Sequence, residues 1–564
     1  NQNNLPTYAN TVQVHELLIQ NYYDSYEIEG ITHTFNTSFS HHFIQAPTPS
    51  QQRHGMLTGK RVRVLGTNSF IVEVSFYDAY GRLIQQKREN GYAGGTSYQT
   101  FSYDFVGNIL QQHAYQSFPN SSNYPVLEVL SSFTYDHGNR LKTVYKKIGA
   151  APAQLIASYS YDELGQLKQK QLGGLETIVY HYNPRGWLIG INDPDNLGSS
   201  SFGMRLYYDY GYTQASYTGN IVGQRWKSAL DGVLRSYGYT YDDASRLKGA
   251  TYRSWGGSSW TGEVDRYSVE NLQYDANGNI TQLRRRGERS AGVFGLVDDL
   301  SYTYSGNRLL RVADQVPHQE GLEDFKQRSG ATVAYEYHAN GTLARDLNKG
   351  MTSSISYNHL QLPMHIPVGI EGSGSLSYVY TAEGEKLEQK VFQGGQLQKT
   401  LSYWNGFVYE GGLLQHFRHE EGRFMLHSGS QLLTEFEVRD HLGNVRQVLR
   451  SPETQTWMAT LEHESAWHEE EDFEHLPESR QQDYRHNSTP GSTQVAWLNA
   501  GRGRSLGPVR YQEVQRGQRL RFSVQGKFES PENRLILPFT GGLSTVSSGL
   551  ASGISVGWGY SFRE

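Results

Sequence analysis

Along most of the chain, aromatic and aliphatic residues alternate with polar ones for a few positions, stop at a short cluster of Asp, Asn and Gly, and then alternate again. The stretch from Leu272 to Leu283 is the clearest instance. Alternation runs to Tyr274, a turn cluster occupies Asp275 to Asn279, and alternation resumes at Ile280. Period-two patterning bounded by turn residues predicts strand, tight turn, strand. Asp275 is placed to bond the backbone two residues on, while Asn277, Gly278 and Asn279 tolerate the positive φ that reversal requires. A lone hairpin is marginal in water, so the fold follows from its repetition.

Clear copies are Tyr77-Asp78 with Gly81, Arg82 and Leu83; Tyr103-Asp104 with Gly107, Asn108 and Ile109; Tyr135-Asp136 with Gly138, Asn139, Arg140 and Leu141; Tyr161-Asp162 with Gly165 and Leu167; Tyr241-Asp242 with Arg246 and Leu247; and Tyr274-Asp275. Degenerate copies keep the tyrosine and relax the acid, as at Tyr182-Asn183, Tyr304-Ser305, Tyr337-His338, Tyr357-Asn358 and Tyr380-Thr381. Neighbouring copies lie roughly 20 to 33 residues apart, a spacing that signals stacked repeat units. Several copies carry a second aromatic two residues before the tyrosine, such as Phe133, Tyr159, Tyr239, Tyr302, Tyr335 and Tyr378. Residues two apart share a strand face, so the pattern predicts cross-strand aromatic ladders that pack the sheet rather than bind a ligand.

This series resembles the YD (tyrosine-aspartate) repeat of the RHS family. The later segment Phe436, Glu437, Val438, Arg439, Asp440, His441, Leu442, Gly443, Asn444, Val445, Arg446 resembles the core signature that closes such arrays, with Asp440, His441, Leu442, Gly443 and Arg446 as its marked positions. Arg185-Gly186-Trp187-Leu188 and Asn405-Gly406-Phe407-Val408-Tyr409-Glu410 resemble the Bacteroidetes-type branch. The resemblance implies an all-β fold in which YD-repeat hairpins spiral into a large hollow β-shell, or cocoon. In toxin-bearing members that shell encloses a variable C-terminal polypeptide. The implied organisation is a β-rich lead-in or plug over 1–60, with sheet strands beginning around Arg61, then a repeat shell over 61–435 and the closing signature over 436–450. A small all-β module over 451–530 and a Gly/Ser-rich segment over 531–564, read as the start of the payload region, complete it.

Composition narrows the picture. With tyrosine set aside and glycine counted, the apolar share is roughly 41%, below the ~45–50% of ordinary soluble domains; that suits a thin sheet with two partly wetted faces. The net charge of -5 gives no footprint for nucleic acid or an acidic membrane, and Arg284-Arg285-Arg286 reads as a solvated run. Cysteine is absent, which excludes disulfides and thiolate metal sites. No run approaches the length of a membrane-spanning helix. The chain begins at Asn1 without a signal peptide; since the resemblance implies a secreted or cell-surface protein, it reads as a processed product or a fragment.

Candidate chemistry is sparse. His41 and His42 are adjacent, which in a strand sends them to opposite faces and argues against a shared metal. His463, Glu464 and His468 are spaced H-E-x-x-x-H, not the H-E-x-x-H of a helical zinc pair, and the acidic run from Glu462 to Glu478 reads as a solvated face. There is no phosphate loop, and Gly501, Gly503 and Gly507 have the wrong spacing for a dinucleotide site. Some RHS members cut their own chain near an Asp-Pro-x-Gly pattern, but the single Asp-Pro here, Asp193-Pro194, lies mid-array. No catalytic residue, metal ligand or cofactor is nominated. Two functions remain: a non-enzymatic shell that encloses and delivers its own C-terminal polypeptide, a toxin used against rival bacteria, or an adhesion or carbohydrate-binding scaffold. The partners to match are that polypeptide, secretion machinery or surface glycans.

Overall fold

The computed structural model describes residues 17–450 apart from 261, 319–323, 370–373 and 428–430, together with 459–462, 469–470, 472–483, 493–498 and 507–510. The chain divides into two units, Asn1–Ser451 and Pro452–Glu564.

The first unit is nearly all β. Twenty of its strands form one antiparallel sheet. Ile19–Tyr23 pairs with Leu57–Arg63, and from there each strand pairs with the next in the chain, through Phe70–Tyr77 and Leu83–Asn90 to Val293–Ser305 and Arg308–Asp314. A second sheet of ten strands runs in the same sequential order from Ser356–Tyr357 to Val445–Arg450. Sequential order follows from the short connections, because antiparallel neighbours need only a few linking residues. The first sheet starts earlier than the alternation at Val62 and Val64 predicts. Ile19–Tyr23 supplies an additional strand, and its polar Gln20 and Asn21 hide it from a hydrophobic pattern.

The main core does not lie beneath the middle of the first sheet. It collects where the hairpin ends opposite the Tyr-Asp turns meet the second sheet: Phe118, Leu127, Val144, Ile156 and Leu172 on one side, and Leu387, Trp404, Phe407, Tyr409, Phe424 and Phe436 on the other. Full burial of each such side chain is worth about 1.5–3 kcal/mol. Polar contacts follow the same seam in order. Lys60 pairs with Glu383 at 2.7 Å, Arg88 with Glu385 at 2.6 Å, Lys146 with Glu420 at 3.1 Å and Lys170 with Glu421 at 2.6 Å, and Gln447 bonds Ser228 at 2.7 Å. Ascending positions in one sheet meet ascending positions in the other, so the second sheet runs alongside the first as a further course. The backbones are spliced where the course begins, by a bridge between Val64 and Thr381 and by Leu65 N–H donating to the Tyr380 carbonyl at 2.8 Å.

A smaller core lies on the other face of the first sheet, where Ile28 from the lead-in packs with Val74, Phe76 and Ile84. Farther along, Ile280–Ser290 has no fully buried residue, as expected of a sheet wetted on both faces. In the second unit, the described residues include the one-turn helix Leu476–Ser479 and the paired strands Arg480–Gln482 and Gln494–Ala496. Most of the expected module over 451–530 lies outside the described residues, as do all of 531–564 and the His463, Glu464, His468 triplet.

Candidate functional site

The recurring site is the Tyr-Asp turn, and its geometry accounts for each residue of the motif. In the Tyr135 copy, the Asp136 Oδ1 accepts from the backbone N–H groups of Gly138 and Arg140 at 2.8 and 3.0 Å, while Oδ2 accepts from Arg140 Nε at 2.7 Å. Asp78, Asp162, Asp242 and Asp275 accept from the same two backbone positions, and Asp104 from the second of them. Asn183 and Asn358 also accept at both, which explains why amide copies persist. The third residue after the acid has positive φ in nearly every copy: Gly81, Gly107, Gly165, Gly186, Gly278, Gly341, Gly384 and Gly443 in most, and Asn139, Ser245 and Gln361 in others; the Tyr304-Ser305 copy differs, with the positive φ at Gly306. In the Tyr135 copy it is therefore Asn139, not Gly138, that takes the left-handed conformation.

Four of the carboxylates, Asp104, Asp136, Asp242 and Asp275, are held in their charged form. The Arg140 guanidinium, followed by the Arg140 and Gly138 amides, lowers Asp136 to about 2. Asp242 is lowered chiefly by the Arg246 amide, and Asp275 by the Asn279 side chain. For Asp104 burial works against the charge, but the bonds from Asn108 and its neighbours outweigh it and the net shift is downward. Each acid thus spends its oxygens on its own turn rather than on a shared site.

The tyrosine fastens one repeat to the preceding one. Tyr77 donates its hydroxyl to the Leu57 carbonyl, Tyr103 to Leu83, Tyr135 to Ile109, Tyr161 to Leu141, Tyr241 to Ile221 and Tyr274 to Leu247, at 2.6–2.9 Å. Tyr304, Tyr337 and Tyr357 do the same to Ile280, Leu309 and Leu343. Most acceptors are the first strand residue after the earlier turn. Where that turn carries Arg, its guanidinium also covers the ring: Arg82 lies 4.8 Å from Tyr103, Arg140 4.5 Å from Tyr161 and Arg246 4.6 Å from Tyr274. Arg82 further donates to the Asp104 carbonyl at 2.9 Å. Sequence reasoning missed one fastener, Tyr208, which donates to the Leu188 carbonyl at 2.8 Å. The signal was present as Tyr208-Asp209-Tyr210-Gly211, masked by the surrounding tyrosines.

An aromatic ladder exists, but neither the signature tyrosines nor the expected aromatics two residues before them build it. Successive signature tyrosines stand two strands apart, about 10 Å, and arginine fills the interval. The ladder runs instead through Trp226, Tyr237, Tyr252, Tyr267 and Phe294, with successive centroids 5.1–5.4 Å apart.

The closing signature is the same turn with a stronger lock. Asp440 Oδ1 accepts from the amides of Leu442 and Asn444 at 2.9 Å each, and Oδ2 accepts from Asn444 Nδ2 and Arg446 Nε at 3.1 and 2.8 Å. Burial raises the Asp440 pKa, but these bonds more than offset it and the net shift is downward. Gly443 supplies the positive φ, His441 is half-buried with its pKa lowered by desolvation, and Leu442 points to solvent at 75% exposure. Arg439, in place of a tyrosine, precedes the acid.

No protein-family model and no curated protein matches the sequence. Among solved structures, the chain is similar to the TcdB2-TccC3 complex without its hypervariable C-terminal region, at 14% identity over 70% of this chain and 20% of that one, with a TM-score of 0.49. It is similar to TcdB2-TccC3 at 13% identity over 72% and 22%, with a TM-score of 0.46. A Photorhabdus luminescens Tc holotoxin pore matches at 13% identity over 70% and 23%, with a TM-score of 0.43. The chain spans about a fifth of the length of these proteins.

Proposed function

We propose that the first unit is wall material for an encapsulating shell of the RHS, Bacteroidetes type, which encloses and delivers its own C-terminal polypeptide, a toxin released against rival bacteria. The observation that carries this reading is the combination of lateral and end-on joining. Tyrosine hydroxyls fasten hairpin to hairpin along most of the first sheet, and an apolar seam joins that course to the next. Such joining extends a thin sheet in two directions without a thick centre, which is what a wall requires. Continuing it also covers sheet edges that would otherwise seed aggregation. Delivery of this kind places the protein outside the producing cell or on its surface, served by secretion machinery, and asks no catalysis of the wall itself.

The test is protease protection of a folded, full-length chain carrying an epitope at its C-terminus. Protection that ends only when the wall is denatured supports enclosure; digestion at the rate of an unfolded tail refutes it. The Trp226 to Phe294 aromatic ladder, with Tyr267 38% exposed, favours a second reading as a carbohydrate-binding scaffold, since aromatic faces stack on sugar rings. Binding on a glycan array that is lost in Tyr267→Ala would favour that scaffold over the container.

A further inference from the structure

A group of potential ligands lies away from the turns, where the lead-in crosses the first sheet. The short 3-10 turn Thr37–Phe39 lays the Phe39 ring against Tyr98 and Tyr115, at 4.5 and 4.7 Å between centroids. Two glutamines hold the segment down. Gln85 exchanges two bonds with the Asn36 backbone at 2.8 and 2.9 Å, and Gln111 Oε1 accepts from Ile44 N–H at 2.9 Å. Between these anchors His41 and His42 lie in a turn rather than a strand, with ring centroids 3.7 Å apart and planes tilted by 44°, so the opposite-face geometry expected from sequence does not apply. His42 faces His113 at 5.5 Å.

His113 and Tyr115 share one face of Ile109–Ser117, and Glu128 of the neighbouring strand is the register partner of Tyr115. His113 and Glu128 are therefore diagonal neighbours beneath His42. One nitrogen from each of the two imidazoles and one Glu128 oxygen lie within 4.8 Å of one another.

Two details distinguish this group from an ordinary ion pair. His113 is 2% exposed and its Nδ1 has no hydrogen-bond partner, so the polar contact of this buried ring is made through Nε2 alone. Its Nε2 stands 3.3 Å from Glu128 Oε2, longer than the ~2.7–2.9 Å of a charge-assisted bond. Two ligands at zinc bond lengths of about 2.0–2.1 Å around a tetrahedral centre are about 3.3–3.4 Å apart, which is the spacing seen. His41, bonded through Nδ1 to the Ser38 carbonyl, backs the His42 ring and restricts its orientation.

We propose that His42, His113 and Glu128 form a three-ligand site for a divalent cation of the zinc class, with water in the fourth position, that pins residues 36–44 to the first sheet. Two imidazoles and one carboxylate suit zinc or cobalt better than magnesium or calcium, which take all-oxygen shells. Binding needs the His42 nitrogen, now within 4.8 Å of the other two ligand atoms, to close to about 3.3–3.4 Å, while those two sit on paired strands at 3.3 Å.

The test uses the full chain after chelator treatment, titrated calorimetrically with Zn²⁺ and spectroscopically with Co²⁺. The expected result is one equivalent bound, a four-coordinate cobalt spectrum, and slower amide exchange over residues 36–44 when the metal is present. His42→Ala and Glu128→Gln, both at accessible positions, each weaken binding by about tenfold or more and abolish the exchange protection. His113→Ala is less informative, because the ring is buried. Absence of binding at submillimolar Zn²⁺, or affinity unchanged in either accessible variant, overturns the assignment.

Discussion

Replacing Tyr161 with phenylalanine isolates the fastener from the packing. The variant keeps the ring, and with it the contact to the Arg140 guanidinium at 4.5 Å, but removes the hydroxyl that donates to Leu141 at 2.9 Å. A net intramolecular hydrogen bond is worth about 0.5–1.5 kcal/mol, and the ring is only half-buried, so about 1 kcal/mol is the expected loss. That corresponds to roughly fivefold faster native-state exchange in Leu141–Ile148 and Gln154–Tyr161, the strands on either side of the bond, because repeat arrays open locally. Tyr161→Leu additionally loses the cation–π contact, about 0.5–1 kcal/mol at a site like this. In a double-mutant cycle with Arg140→Ala, the leucine variant should show that coupling and the phenylalanine variant almost none. Combining Tyr→Phe at 103, 135, 161, 241 and 274 should cost about 5 kcal/mol, since well-separated sites add. An exchange change below about 0.3 kcal/mol in Tyr161→Phe, with the combined variant no weaker than the parent, would refute the fastening role and leave packing alone.

Three further outcomes are expected. The folded-state pKa values of Asp104, Asp136, Asp242, Asp275 and Asp440 lie below the ordinary 3.8, with Asp136 near 2. Their contribution is therefore complete above about pH 4 and lost as pH falls toward 2; Asp136→Asn should flatten that dependence in the exchange of its own turn and leave distant turns unchanged. His419, buried at the seam, has its pKa pushed down from 6.5 to about 4 chiefly by desolvation. The unfolded chain takes up that proton first, so stability falls between about pH 6.5 and 4, and His419→Gln should lessen the fall in denaturation midpoints measured across that window. A Cβ on Gly173, which has φ +52°, would meet Phe436 at 2.3 Å; Gly173→Ala should cost about 1–3 kcal/mol by overpacking the seam, read as a lower urea midpoint with the turns intact.

The turns were legible because their chemistry is local. An acid, a left-handed residue three places on and an Arg or Asn after it satisfy one another within five residues, so Asp275 to Asn279 reveals its structure from composition alone. The fasteners were not legible, although their tyrosines were, because the acceptor is a backbone carbonyl some twenty residues earlier that leaves no trace in side-chain pattern. The seam was hidden for a different reason: Lys170 and Glu421, or Gly173 and Phe436, meet only after two sheets have wound into register. Asn139 and Ser245 show where local reading goes astray, since a left-handed residue need not be glycine when the surrounding bonds hold it there. The lead-in was misread at His41 and His42 because a short polar turn has no periodicity to detect.

The fasteners are many, nearly identical and individually weak. No single one is indispensable, and the chain tolerates drift around them: serine and histidine stand in place of the acid at positions 305 and 338 while Tyr304 and Tyr337 keep their bonds to the preceding repeat. A structure secured this way should fail by fraying along one edge, stitch by stitch, and not by sudden collapse. Its sequence can wander far while its weave persists.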